Sequence, residues 1–167
     1  MGEPKEMFML DRMDRRILAE LQDDATLSLA ELSDKISLSR SACGRRLQRL
    51  ESEGYIKGRV ALLDASKVGL PLTVFISIKT DKHNAEWSQR FRDVVEGLHG
   101  VLEVYRMGGE IDYLIKAVVP DMPGYDRLYQ QLIEAKPTDV NAGFVMEEIK
   151  STVALPLEQL GRTHDRP

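Results

Sequence analysis

The first third of the chain repeats hydrophobic positions at helical spacing, and three amphipathic helices are expected there. The first is predicted over residues 11–22. Ser28 starts an S-x-x-E sequence, typical of a capping box, which predicts a second helix over about residues 29–36. Ser39 is a favourable N-cap for a third helix that runs to Ser52. The close spacing of the last two helices predicts a helix-turn-helix.

The third helix is predicted to bury one side and to expose the other. At about 100° per residue, Cys43, Leu47 and Leu50 fall on one apolar stripe. The opposite face carries arginine, glutamine and serine, which hydrogen-bond to base edges and phosphates. This arrangement is typical of a recognition helix, which enters the major groove of DNA. The residues predicted to contact DNA are Lys35, Ser39, Arg40, Ser41, Arg45, Arg46, Gln48 and Arg49.

Two small residues of the third helix have separate interpretations. Cys43 lies on the apolar stripe and is predicted to be a core residue, in preference to a redox switch. A glycine inside a helix lowers the helix stability by about 1 kcal/mol relative to alanine. The presence of Gly44 therefore favours the interpretation that another helix or DNA packs closely against this position, over the interpretation that the glycine is merely tolerated. After the helix, a loose alternation over residues 55–63 predicts an extended strand or wing, and residues 64–71 are the expected hinge.

From residue 72 the hydrophobic period changes, and strands alternate with helices. Asn84 and Asp121 are predicted N-caps of two helices, and the glycines after Met107 predict a β-hairpin. The predicted strands span residues 72–80, 101–107, 111–119 and 140–150. The order strand, helix, strand, strand, helix, strand is that of a ferredoxin-like βαββαβ domain. The predicted fold class is therefore α+β, with an N-terminal (winged) helix-turn-helix joined to this domain.

The predicted sheet exposes more apolar surface than two helices on one side can cover. The strand residues on which this expectation rests are Val74, Ile76, Ile78, Tyr113, Ile115, Phe144 and Met146. Face-to-face packing of two sheets in a homodimer would bury such a surface. Two-fold symmetry also suits DNA, because paired recognition helices then address successive major grooves.

The charges change this picture because they are segregated. The whole chain of 167 residues carries a formal net charge of −4. The segment from Lys35 to Arg59, however, contains seven basic residues and only two acidic ones, Glu51 and Glu53, which gives it a local net charge of +5. A basic stripe of this kind suits a phosphate backbone, and its alternative interpretation is a solvated helix face. Double-stranded DNA is the predicted partner.

The remaining composition excludes several classes of site. The single cysteine excludes an intramolecular disulfide, and the three histidines are too scattered for a metal site. No nucleophile with a partnered base and no phosphate-binding glycine loop followed by lysine is found, so neither catalysis nor a cofactor is expected. The chain also has no apolar run near 18 residues and no secretory signal, which predicts a cytoplasmic protein without a membrane partner.

Four motifs in register resemble the leucine-responsive regulatory protein/AsnC family of transcription regulators. They are LDRMDRRIL at 10–18, LSLAELSDKISLSRSACGRRLQRLESEGYIKG at 27–58, GGEIDYLIKAVVPDM at 108–122 and VMEEIKSTVALPL at 145–157. The resemblance implies a helix-turn-helix joined by a hinge to an amino-acid-binding βαββαβ domain. It also implies dimers that assemble into octamers or similar rings, and control of amino-acid metabolism genes.

The resemblance further implies an effector site on one loop, where the ligand lies between dimers. The residues that match this loop are Met107, Gly108, Gly109, Glu110 and Asp112. Backbone N–H groups of the glycines suit the carboxylate of an amino acid, and Asp112 suits its ammonium group. The alternative is a plain hairpin turn with Asp112 at the surface.

The predicted domains are residues 1–63 for DNA binding with the linker strand, 64–71 for the hinge, 72–157 for effector binding and oligomerisation, and 158–167 for a tail. The predicted function is sequence-specific transcriptional regulation of amino-acid metabolism genes, modulated by an amino-acid effector. The alternatives are an amino-acid-binding regulatory module without specific DNA readout and a nonspecific DNA-organising protein.

Overall fold

Three helices form a helix-turn-helix in the computed structural model, which describes residues 10–157. They are α1 (Arg12–Asp23), α2 (Leu29–Ile36) and α3 (Arg40–Ser52). Ser28 caps α2 in the predicted capping box, because its side chain accepts from the Glu31 N–H while the Glu31 carboxylate accepts from the Ser28 N–H. Ser37 adopts a left-handed conformation with φ 58°, and this residue turns the chain from α2 into α3.

The first unit contains a small apolar core. Its buried residues come from all three helices and are Ile17, Leu18, Leu32, Ile36, Cys43 and Leu50. The segment 150–157 belongs to this unit as well. Gln22 of α1 binds the Leu155 backbone from both sides, accepting from its N–H at 2.6 Å and donating to its carbonyl at 3.1 Å, and Leu157 packs against the core. The final segment of the described chain is therefore part of the helix-turn-helix unit.

This grouping differs from the predicted domain boundary, which assigned the whole of 72–157 to the second domain. The structure places residues 62–149 in the second unit and residues 150–157 in the first. The reason is the Gln22–Leu155 pair, which joins residues 133 positions apart in the chain. Residues 1–9 of the predicted DNA-binding domain and the predicted tail, 158–167, lie outside the described residues.

Residues 55–63, over which an extended strand or wing is predicted, pair with no strand of the described chain. The N–H groups of Tyr55 and Ile56 both donate to the carbonyl of Leu50, which closes the end of α3. Beyond this turn the backbone has no regular hydrogen bonding, and Val60 is 79% exposed.

The second unit is a four-stranded antiparallel sheet with two helices. The strands are β1 (Leu72–Lys79), β2 (Val101–Arg106), β3 (Tyr113–Val119) and β4 (Asp139–Phe144). The helices are α4 (Ala85–Gly97) and α5 (Met122–Leu132), capped as predicted by Asn84 and Asp121. The sheet order β2-β3-β1-β4 confirms the ferredoxin-like βαββαβ domain. The β2–β3 hairpin is also confirmed.

The last strand is shorter than the predicted 140–150. Val74 of β1 pairs with Phe144, and the N–H of Val145 donates one further bond to the Thr73 carbonyl, where the pairing of β1 with β4 ends. Met146 is consequently 96% exposed and lies beyond the sheet.

Except for Met146, the apolar strand residues on which the predicted dimer rests lie on the helix side of the sheet. Val74, Ile76, Ile78 and Ile115 are completely buried beneath α4 and α5, with Tyr113 and Phe144 packed against them. The opposite face carries Phe75, Tyr105 and Leu114 beside charged residues. This second face mixes apolar and charged side chains, so it is less apolar than predicted.

Candidate DNA-binding and ligand-binding sites

A buried carboxylate on α1 holds two arginines of α3. Asp14 is 1% exposed, and its two oxygens accept from Arg46 Nη1 at 2.8 Å and from Arg49 Nη2 at 2.5 Å. Asp11 contributes a second bond to Arg46 at 2.6 Å and caps α1 by accepting from the Asp14 N–H. Burial raises the pKa of Asp11, but hydrogen bonds from the Asp14 N–H and the Arg46 guanidinium outweigh it and lower this pKa below the usual value.

These contacts divide the predicted basic stripe into paired and unpaired cations. Four of the seven basic residues form salt bridges, namely Lys35 to Glu20, Arg46 and Arg49 to Asp14, and Arg59 to Glu51. Among residues 10–157, Arg40, Arg45 and Lys57 form no salt bridge and remain exposed. The D-x-x-D spacing at Asp11 and Asp14 is the one sequence signal for the pairs with Arg46 and Arg49, and it was not among the predicted features.

The other predicted DNA-contacting residues lie around the start and the outer face of α3. The Ser39 hydroxyl accepts from the Ala42 N–H at 3.3 Å as the N-cap and lies 3.3 Å from the Ser41 hydroxyl. Arg40, Ser41, Arg45 and Gln48 are exposed. Arg45, Arg46 and Arg49 also line a surface depression of about 290 Å³. The structure thus presents one exposed polar face on α3, as expected of a recognition helix.

The two small residues of α3 face inward. Cys43 is completely buried, which agrees with its predicted core role, and burial raises the pKa of its thiol. A Cβ atom on Gly44 would lie 3.3 Å from Leu29 Cδ2 on α2. Gly44 therefore allows a close approach between two helices, one of the interpretations that its position favoured.

The predicted effector loop joins β2 to β3. The Met107 N–H donates to the Asp112 carbonyl at 2.8 Å, and Gly109 has φ 127°, a conformation that favours glycine. The Asp112 carboxylate accepts from the Thr80 N–H at 2.8 Å. Glu110 pairs with Lys79 at 2.9 Å, and the hydrogen bond from this lysine lowers the pKa of Glu110. Both acidic side chains of the loop thus already bind the end of β1.

The described residues contain no group of three or more His, Cys, Asp or Glu side chains that could hold a metal ion. None of the helices within residues 10–157 is long and apolar enough to cross a membrane.

A helix-turn-helix with an exposed polar recognition helix, joined in one chain to a ferredoxin-like domain, defines a DNA-binding transcription regulator. Family models agree with both halves. Residues 10–57 match the winged helix-turn-helix DNA-binding family, and residues 73–155 match the Lrp/AsnC ligand binding domain.

Similar proteins identify the family. The DNA-binding transcriptional activator DecR of Escherichia coli (strain K12) is 48% identical over 152 residues, which cover 90% of this chain and 100% of that protein. The structure of an AsnC family transcriptional regulator from Agrobacterium tumefaciens has a TM-score of 0.85 at 48% identity, covering 89% of this chain and 98% of the other. That of a Neisseria meningitidis transcriptional regulator in complex with L-Met has a TM-score of 0.85 at 34% identity, covering 90% and 99%. The chain belongs to the Lrp/AsnC family of transcriptional regulators.

Proposed function

We propose that this regulator controls genes of amino-acid metabolism from the cytoplasm, as a homodimer that assembles further, and that an amino acid modulates its binding to DNA. It has no catalytic role in this proposal. The observation that carries the DNA part is the exposed face of α3, where Arg45 forms no salt bridge to another described residue. The L-Met complex of the Neisseria meningitidis relative supports an amino-acid effector.

The proposed DNA-reading side chains are Ser41, Arg45 and Gln48, whereas the exposed Arg40 at the start of α3 is proposed to contact a phosphate. Arginine donates two hydrogen bonds to guanine, and glutamine exchanges two with adenine. The proposed supporting set is Lys35, Ser39, Arg46 and Arg49, which other side chains or the backbone already hold in this structure. Fixed cations of this second set suit phosphates, which position a protein on DNA without reading its sequence.

The proposed dimer uses the open face of the sheet. Phe75 and Tyr105 are 40% and 50% exposed there, and Lys116 pairs with Glu103 on the same face. A second copy of the face would bury the aromatic rings beside these pairs of opposite charge.

A fluorescence-anisotropy titration tests this function directly. The full chain is titrated against the DNA upstream of its own gene and against scrambled DNA, with and without each common amino acid. Preference for the upstream DNA that one amino acid changes supports the proposal. Equal and ligand-insensitive binding favours a nonspecific DNA-organising protein, and no binding at low salt favours a regulatory module without DNA readout.

Arg45→Ala is expected to weaken specific DNA binding by roughly 1–3 kcal/mol, which is about 5- to 150-fold in the dissociation constant. The reason is the loss of a bidentate contact to a base, and oligomer size is expected to stay unchanged. Arg90→Ala is the matched control, because it removes the same charge from α4 of the second unit. Equal weakening by both variants would show that Arg45 contributes only net charge.

Asp112→Asn is expected to abolish the response to the effector while DNA binding without effector persists. Asparagine retains an acceptor for the Thr80 N–H and removes only the charge that suits an ammonium group. The measurement is the same anisotropy titration with the effector present. A normal effector response in this variant would contradict the assignment of the loop.

A further inference from the structure

Two arginines that lie one turn apart on α3 are held by two carboxylates at the start of α1. Arg46 Nη1 donates to Asp11 at 2.6 Å and to Asp14 at 2.8 Å, and Arg49 Nη2 donates to Asp14 at 2.5 Å. The Asp14 side chain is 1% exposed, so breaking these bonds would leave a buried charge without its partners, which is costly. The pairs therefore fix where the two guanidinium groups lie on the surface of α3.

This pairing leaves one edge of the Arg46 guanidinium open. Nε and Nη2 of Arg46 form no hydrogen bond with another residue of 10–157, and the side chain is 31% exposed. These two nitrogens can donate in parallel, which is the geometry that binds a phosphate through two hydrogen bonds. Arg49 differs, because its Nε is buried without a hydrogen-bond partner in the same part of the chain. Arg46 is thus the paired arginine that keeps a fork for an outside acceptor.

The same two carboxylates cancel charge beside the proposed DNA-reading face. Asp11 and Asp14 balance Arg46 and Arg49, so these four side chains have no net formal charge. Nonspecific binding to DNA depends mainly on cations that neutralise phosphates. A neutralised arginine adds little to such binding, but its open edge can still donate to a phosphate that lies in the right place. The pairing therefore favours one position of the DNA over all others.

We propose that Asp11 and Asp14 are positioning residues that make the phosphate contact of Arg46 specific. They hold its open edge for one DNA phosphate and remove its attraction for phosphates elsewhere. Arg45, a proposed DNA-reading residue, lines the same surface depression as Asp11 and Arg46, so the bound phosphate fixes the register in which Arg45 meets its base. The inference rests on the proposed function and adds two acidic residues to it.

Asp11→Asn tests this role while α1 keeps its cap, because asparagine caps a helix as well as aspartate does. The asparagine carbonyl still accepts from the Asp14 N–H, and its amide nitrogen replaces the oxygen that binds Arg46. The full chain is titrated by fluorescence anisotropy with upstream and scrambled DNA over a series of salt concentrations.

The loss of this carboxylate is expected to tighten binding to scrambled DNA by about 3-fold, because Arg46 regains part of its uncompensated charge. The slope of log K against log salt is expected to steepen by about 0.9, the effect of one further phosphate contact. Upstream DNA is not expected to bind more tightly, since the gain in charge is offset by the lost hold on Arg46. The preference for upstream DNA therefore falls by about 3-fold.

Two further variants separate position from charge. Asp23→Asn is the control, because Asp23 is exposed at the end of the same helix and forms no salt bridge within residues 10–157. It changes the net charge equally, so both DNAs are expected to tighten alike and the preference to stay. Arg46→Lys keeps the charge without the fork and is expected to weaken upstream DNA about 10-fold more than scrambled DNA. Circular dichroism at 222 nm checks that each variant keeps its helices.

An unchanged preference in Asp11→Asn, while the wild type prefers upstream DNA, overturns the inference and leaves the proposed function intact. An equal loss of preference in Asp11→Asn and Asp23→Asn also overturns it, because general charge then explains the effect. If Asp11→Asn does not fold, Arg46→Lys decides the matter, and equal weakening of both DNAs by that variant contradicts the positioning role. A wild-type chain that shows no preference for upstream DNA removes the inference together with the proposed function.

Discussion

Asp14→Ala is expected to lower the free energy of unfolding of the helix-turn-helix unit by about 3 kcal/mol. The substitution removes the buried acceptor of Arg46 and Arg49 and one half of the capping box with Asp11. Loss of one partner from a buried ion pair costs about 3–5 kcal/mol. The lower end applies here because side chains of both arginines keep partial contact with solvent. Guanidinium denaturation followed by circular dichroism at 222 nm measures the loss.

Trp87 makes this experiment specific to one unit. It is the single tryptophan of the chain and lies in the core of the second unit, so its fluorescence reports the second unit alone. We expect Asp14→Ala to shift the helical signal and to leave the Trp87 transition in place. Glu20→Ala, which breaks the exposed pair with Lys35, is the control and is expected to cost at most about 1 kcal/mol. Equal losses for both variants would contradict a special role of Asp14.

Phe91→Ala is expected to destabilise the second unit by about 3–5 kcal/mol. Phe91 is 1% exposed, stacks on Trp87 with ring centroids 5.2 Å apart, and contacts Tyr113 at 4.4 Å. Truncation of Phe91 leaves a cavity, and the neighbouring rings cannot move into it without losing their own packing contacts. Denaturation followed by Trp87 fluorescence is the measurement.

Phe75→Ala is the matched control for this second prediction. Phe75 lies on the open face of the sheet and is 40% exposed, so its truncation creates no internal cavity. Its cost is expected to be less than half that of Phe91→Ala and, if the open face is the dimer interface, to depend on protein concentration. A Phe91→Ala variant as stable as Phe75→Ala would contradict the assigned core.

The exposed face of α3 and the buried Asp14 have different consequences for DNA binding. Arg45 is expected to act on affinity alone, because it touches solvent and forms no salt bridge within residues 10–157. Arg46 and Arg49 are proposed to contact DNA and also contribute to stability, because the same guanidinium groups neutralise the buried Asp14 carboxylate. Substitutions at these two positions are therefore expected to change both the free energy of unfolding and the affinity for DNA.

The sequence by itself determined the helix-turn-helix and the βαββαβ order. Both depend on local signals that act within a few residues, such as the capping serine at Ser28, the cap at Asn84 and the change of hydrophobic period near residue 72. The buried position of Cys43 followed from helical periodicity in the same way.

Only the tertiary structure decided which charged side chains are paired and which face of the sheet the helices cover. Arg46 meets Asp14 across 32 residues, Gln22 meets Leu155 across 133, and no local pattern contains such pairs. The sequence-based prediction of which sheet face is left exposed failed for a related reason. Alternation along a strand separates two sets of side chains, but which set the helices cover depends on the sheet order and on where α4 and α5 pack.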